Sequence, residues 1–238
     1  MTKLLAAAIA GTLAATALIA AAPLTAKPAA KPRPAAAALS WDKRLSRTPA
    51  GNHLFGNPAA KVRLVEFISY TCPHCAHYAH DSEAPLFTGP VRQGKVAVEV
   101  RPFFRNIVDV SATLLAQCGP DSKFWGNHHA ILAAQDNWFK VPPEAVQKRW
   151  GTLEFAPRMK AVAEDMGLYK LMLGRGYAPT QLDQCLANLP LAQKLSTQTD
   201  NASSKLGVQG TPSFLINDKL QEVYDWQSLQ PLLTAAQR

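Results

Sequence analysis

The sequence predicts an α/β fold with a large helical insertion, on three observations. Two apolar runs rich in β-branched residues, Val62 to Ser69 and Val96 to Phe104, flank a segment that can start a helix at Pro73. From Asp109 to Leu206 the apolar spacing turns helical. A short strand pair and one more helix then close the chain. This order divides the folded part into a first α/β segment at 51–108, an inserted all-helical domain at 109–207 and a second α/β segment at 208–238.

The chain begins with Met1-Thr2-Lys3, a short positive segment, followed by 21 uncharged residues from Leu4 to Leu24. Residues 1–26 read as an export signal with cleavage after Ala26, or as an uncleaved anchor, since the run is just long enough to span a bilayer. Both readings place the remainder outside the cytoplasm, and no later segment is a spanning candidate. Residues 27–50 read as a basic linker whose Pro/Ala tract should be an extended spacer. Val62 to Ser69 is a buried-strand pattern interrupted by Glu66, and the helix at Pro73 continues to about Phe87. Val96 to Phe104 is the next strand. Helix candidates run over 111–118, 122–135, 143–150, 157–166, 180–188 and 191–206, separated by Gly and Pro. In the last of these, Leu191, Leu195, Ala202 and Leu206 share a face. Ser213 to Ile216 and Leu220 to Tyr224 flank Asn217-Asp218-Lys219 as a hairpin, and the final helix carries Leu229, Leu232 and Leu233.

Composition narrows the function classes. With 47% apolar and 18% charged residues, five Trp, nine Phe and five Tyr, the 238-residue chain can bury a core. Its net charge of +8 suggests a nucleic-acid surface until it is placed along the chain. Residues 1–50 carry most of it, and 51–238 hold 18 basic against 16 acidic residues, so a nucleic-acid partner is not expected.

The chemistry lies in Cys72-Pro73-His74-Cys75. Two cysteines two residues apart at a helix start can close a small, easily opened disulfide. The first sulfur faces free N–H groups and the positive end of the helix dipole, which favour its thiolate, and His74 adds to this if it approaches. A stable thiolate is a good leaving group. Cys75, one turn in, should be the protected resolving thiol and Cys72 the exposed one. Haem attachment needs His directly after the second cysteine, where Ala76 stands. Zinc would need His77 and His80 to converge with both sulfurs, which one helix does not easily allow, so no metal is assigned.

Glu66 through Cys75 (EFISYTCPHC) resembles the active-site strand and helix of the DsbA-like thiol:disulfide oxidoreductases, thioredoxin-fold proteins of the bacterial periplasm. Gly210-Thr211-Pro212-Ser213-Phe214 is similar to the family's cis-proline loop, and Lys123 through His129 resembles a segment of its helical insertion. The resemblance implies a thioredoxin-like fold with an inserted all-helical domain. It implies that Thr211 and Pro212 bind an extended substrate against the cysteine pair, and that Glu66 is a buried acid able to shuttle the proton of Cys75. Thr211 departs from the residue of the family's best-known strong oxidants and is similar to isomerase-like and broader members, which keeps direction and partner preference open.

The leading expectation is an exported, periplasmic oxidoreductase without cofactor. It would donate the Cys72–Cys75 disulfide to reduced or unfolded exported proteins and be re-oxidised by a membrane quinone-linked oxidase. An isomerase or reductase held reduced is the alternative within enzymes, and a zinc-binding or chaperone-like module the alternative outside them. A monomer is expected, because the insertion shows no dimerisation stalk. Cys118 and Cys185 fall at the ends of two helix candidates, and in an oxidising compartment they should form a structural disulfide rather than remain buried free thiols. His128 and His129, being adjacent, should divide into one core-facing and one solvated ring. Trp125, Trp138 and Trp150 should be packing residues.

Overall fold

The period of two in β3 (Val62–Ile68) sends its side chains to two different cores. Leu64 and Ile68 join the main core beneath α1 (Pro73–Leu86), whereas Val65 and Phe67 join a smaller core with Leu215, Ala202 and Val208 on the opposite face. Glu66 has the parity of Leu64 and Ile68 and therefore faces α1. A strand buried on both faces is central, and β3 is: it pairs in parallel with β4 (Val96–Pro102) and antiparallel with β5 (Ser213–Ile216).

The computed structural model describes residues 40–238, so residues 1–26, expected to direct export, and residues 27–39 of the expected linker lie outside the described residues. The six strands run in the order β1-β2-β4-β3-β5-β6, with β1 at Leu45–Arg47, β2 at His53–Gly56 and β6 at Lys219–Gln221. The expected linker therefore ends earlier than residue 50, because β1 already pairs with β2 from Leu45 onward. The hairpin turn is tighter than Asn217-Asp218-Lys219: Asn217 and Asp218 alone take positive φ, and Lys219 is already paired with Ile216.

On α1, Cys75, Tyr78, Ala79, Ser82 and Leu86 are buried, spaced as one helical face toward the sheet. The helical stretch consists of α2 (Ile107–Ala116), α3 (Phe124–Ala133), α4 (Gln135–Trp138), α5 (Glu144–Gly151), α6 (Phe155–Asp165), α7 (Leu168–Gly174), α8 (Pro179–Leu186) and α9 (Leu189–Leu206). Its interior, including Leu114, Ile131, Met159 and Leu186, is continuous with the core under α1, so the insertion has no separate core. α9 crosses the other face of the sheet through Ala202, and α10 (Trp226–Ala236) completes the α1 side through Leu229 and Leu233. Leu206 leaves the predicted apolar face exposed, because α9 stops at Gly207, whose φ of 73° suits the left-handed cap. Among the described residues no helix is long and apolar enough to cross a membrane.

Candidate active site

The segment between β3 and α1 cannot form ladder or helix bonds of its own, so its polar groups need other partners. Asp109, in the first turn of α2, supplies most of them. Its carboxylate accepts from the Ser69 hydroxyl at 2.9 Å, the Thr71 N–H at 2.9 Å, the Thr71 hydroxyl at 3.2 Å and the Arg105 N–H at 2.9 Å. From α4, Gln135 donates its amide to the carbonyls of Tyr70 at 2.7 Å and Cys72 at 3.0 Å. The Tyr70 hydroxyl meets Nδ1 of the buried His128 at 2.8 Å. Three elements distant in sequence thus hold the approach to Cys72.

Cys72 is the N-cap of α1, with Pro73 in the first turn, where its missing N–H costs nothing. The Thr211–Pro212 peptide is cis, and the Cys72 thiol donates to the Thr211 carbonyl at 3.1 Å. This loop covers the sulfur: Cys72 is 3% exposed, which corrects the expectation of an exposed thiol. The two sulfurs nevertheless differ as expected in charge. Hydrogen bonding from the Cys75 thiol does most to lower Cys72, to about 5, aided against burial by the Thr211 hydroxyl, the Cys75 N–H and the charge of Arg105. Cys75 is completely buried, and burial, then its hydrogen bond to Cys72 and the Cys72 charge, push its thiol well above the usual range. His74 is exposed on the first turn of α1.

Glu66 is 4% exposed, and burial raises its carboxyl to about 7, so it holds a proton for part of the time near neutrality. Tyr78, one turn beyond Cys75, donates its hydroxyl to Glu66 Oε1. Its ring packs on Phe214 at 4.6 Å, just after the cis-proline loop. Cys72, Cys75, Thr211 and Pro212 are therefore brought together around the start of α1, with Glu66 one helical turn deeper, on Tyr78.

Cys118 and Cys185 are joined in a disulfide with Cα atoms 5.5 Å apart, tying the end of α2 to α8. His77 and His80 are exposed, and among the described residues no group of three or more His, Cys, Asp or Glu is placed to hold a metal ion. His129 is not the solvated ring expected: its side chain is 18% exposed and its Nδ1 lies 3.2 Å from Glu83. Trp138 and Trp150 are buried, and Trp125 packs between Phe55 and Phe87 at 4.3 Å from each. The sequence reading missed Asp109, Gln135 and Tyr78. Only Asp109 had a signal, Asn106-Ile107-Val108-Asp109, a capping pattern that marks a helix start without showing what the acid would hold.

The family model described as Thioredoxin matches residues 48–235. A solved structure from Novosphingobium aromaticivorans, described as a protein-disulfide isomerase, is 44% identical with a TM-score of 0.75, and the match covers 79% of this chain and 97% of that one. Wolbachia pipientis alpha-DsbA1 shares the fold at 17% identity and a TM-score of 0.64, over 78% of this chain and 90% of that one. A Rickettsia typhi protein provisionally named a protein-disulfide oxidoreductase is 30% identical over 172 residues, 72% of this chain. The chain spans 56% of that relative's length.

Proposed function

The chain belongs to the thioredoxin family, and on that premise we propose that it is a protein thiol:disulfide oxidoreductase that donates the Cys72–Cys75 disulfide to reduced exported proteins. The observation that carries the reading is the asymmetry of the pair, with Cys72 lowered to about 5 beside the Thr211 loop and Cys75 buried and raised. A substrate thiolate attacks Cys72 Sγ, the bond to Cys75 breaks, and Cys75 leaves as a thiolate that takes up one proton, with Glu66 as the nearby source. The substrate's second thiolate then attacks its own sulfur in the mixed disulfide. Cys72 departs as a stable thiolate, so oxidation of the substrate is favoured. The extended substrate lies along the Thr211–Pro212 edge.

In this reading residues 1–26 direct export to the periplasm, by cleavage or as an anchor, and a quinone-linked membrane oxidase removes the two electrons from the reduced pair. The protein acts as a monomer. An isomerase is the second reading, favoured by the description of the Novosphingobium relative and by Thr211. Refolding assays separate them, using a reduced multi-disulfide protein beside a scrambled one. The oxidase reading expects strong acceleration of the first and weak acceleration of the second, no activity from Cys72→Ser, and mixed disulfides accumulating on Cys75→Ala. Strong unscrambling with weak oxidation overturns it in favour of the isomerase.

A further inference from the structure

A carboxyl as buried as Glu66 can exchange protons with Cys75 repeatedly only if it also exchanges them with solvent. The structure offers one way out. Between β3, α1 and α3 lies a small cavity of about 10 Å³, about the room one water needs. Glu66 and Tyr78 line one side and His128 and His129 the other. His129 Nε2 is buried without a hydrogen-bond partner, while Nδ1 faces the half-exposed Glu83. Glu83 and His129 also line a second, larger cavity of about 260 Å³, with the exposed His77 and His80 and with Asp136 at its wall. Glu83 lines the inner cavity too, so the His129–Glu83 pair borders both the inner cavity and the outer one.

We propose that His129 carries protons between the Glu66 carboxyl and solvent; its role in turnover rests on the disulfide exchange proposed above. With the proton on Nδ1, facing Glu83, Nε2 carries the lone pair and can take a proton released from Glu66, directly or through one water. The Nδ1 proton passes to Glu83 and on to solvent. The ring is left as the other tautomer, with Nε2–H inward, which is the form that returns a proton to Glu66 after Cys75 has drawn one. One proton enters and one leaves at each step, and no electrons move; the two electrons of the exchange pass between sulfurs only. The ionisable groups around the ring are Glu66 from β3, Tyr78, His77, His80 and Glu83 from α1, His128 on α3 itself and Asp136 from α4. Of these, Glu83 is the one paired with it.

The test follows hydrogen-to-deuterium exchange at the Glu66 carboxyl by time-resolved infrared absorption in the reduced protein, with Glu66→Gln identifying the band. We expect His129→Ala to slow this exchange at least tenfold and added imidazole to restore it. His129→Gln, which keeps the volume, should show the same slowing, and His80→Gln should exchange like the wild type. The equilibrium constant with glutathione should stay within about twofold in His129→Gln, because a relay changes rates and a packing residue changes the equilibrium. Exchange at the wild-type rate in both His129 variants, or a slowing of His129→Ala that imidazole does not relieve, overturns the proposal. The carboxyl readout does not depend on turnover. A wild type that exchanges no disulfide with glutathione therefore refutes the functional reading separately from the proton route.

Discussion

Acidification should weaken this protein as an oxidant in a way set by Cys72. Its thiol lies at about 5 in place of the ordinary 9.0. At neutral pH an ordinary thiol is protonated, so only the two units between 5 and 7 count, or about 3 kcal/mol in favour of the reduced form. That is about a hundredfold in the exchange equilibrium and about 60 mV for a two-electron couple. A lowered acid stabilises the state that contains it fully above the unperturbed value and progressively less as the pH falls through the lowered one. The reduced form therefore gains from the thiolate between about pH 5 and 9 and loses that gain below about 5. The assay is the glutathione equilibrium followed from about pH 4 to 8 in a Glu66→Gln background, which removes the second titration. Below the break two protons accompany two electrons and the potential should change by about 59 mV per pH unit; above it one proton does, and the slope should halve. A steep slope persisting through neutrality would place Cys72 with ordinary thiols and refute the reasoning.

Glu66 carries the opposite sign. Its carboxyl is raised from 4.5 to about 7, so its burial favours the fold when protonated and costs up to about 3 kcal/mol once ionised. Glu66→Gln should be near neutral in stability at about pH 4 and more stable than the wild type at about pH 8, as read by urea unfolding of the reduced protein. Asp109→Ala removes the acceptor of four hydrogen bonds, one of them to the N–H of Thr71 beside Cys72. It should destabilise by about 3 kcal/mol or more, read from the urea midpoint of the reduced protein. The Cys118–Cys185 bond closes a separation of 67 residues, and replacing both cysteines by Ala should cost roughly 4 kcal/mol on the chain-entropy model. Denaturant midpoints measured under mild reductant, which opens only Cys72–Cys75, check this.

What could be read in the sequence was what the chain encodes locally. The alternation of β3, the proline at the first turn of α1 and the cysteine spacing each occupy a few consecutive residues, and the structure places them as a strand, a helix start and a pair. β1 and β2 are not legible, because three- and four-residue strands carry too little periodicity. α7 was hidden between Gly167 and Gly174, which read as punctuation. The environment of the site was not legible, because it is assembled over long separations. The carbonyl that covers Cys72 comes from 139 residues later, and the amide that anchors its own carbonyl from 63 residues later. The same holds for His129, which only the packing of α3 on α1 brings to Glu83.

The measurement that bears most directly on the central claim is the trapping of a mixed disulfide. Oxidised wild type and a Cys75→Ala variant carrying Cys72 as an activated disulfide are each incubated with a reduced multi-disulfide protein, quenched with acid and alkylating agent, and mapped by mass spectrometry. We predict a covalent adduct that accumulates on the variant, is transient in the wild type, and joins the substrate to Cys72 alone. Adducts that form at Cys118 or Cys185, or a substrate that is oxidised just as fast by Cys72→Ser, would contradict the account.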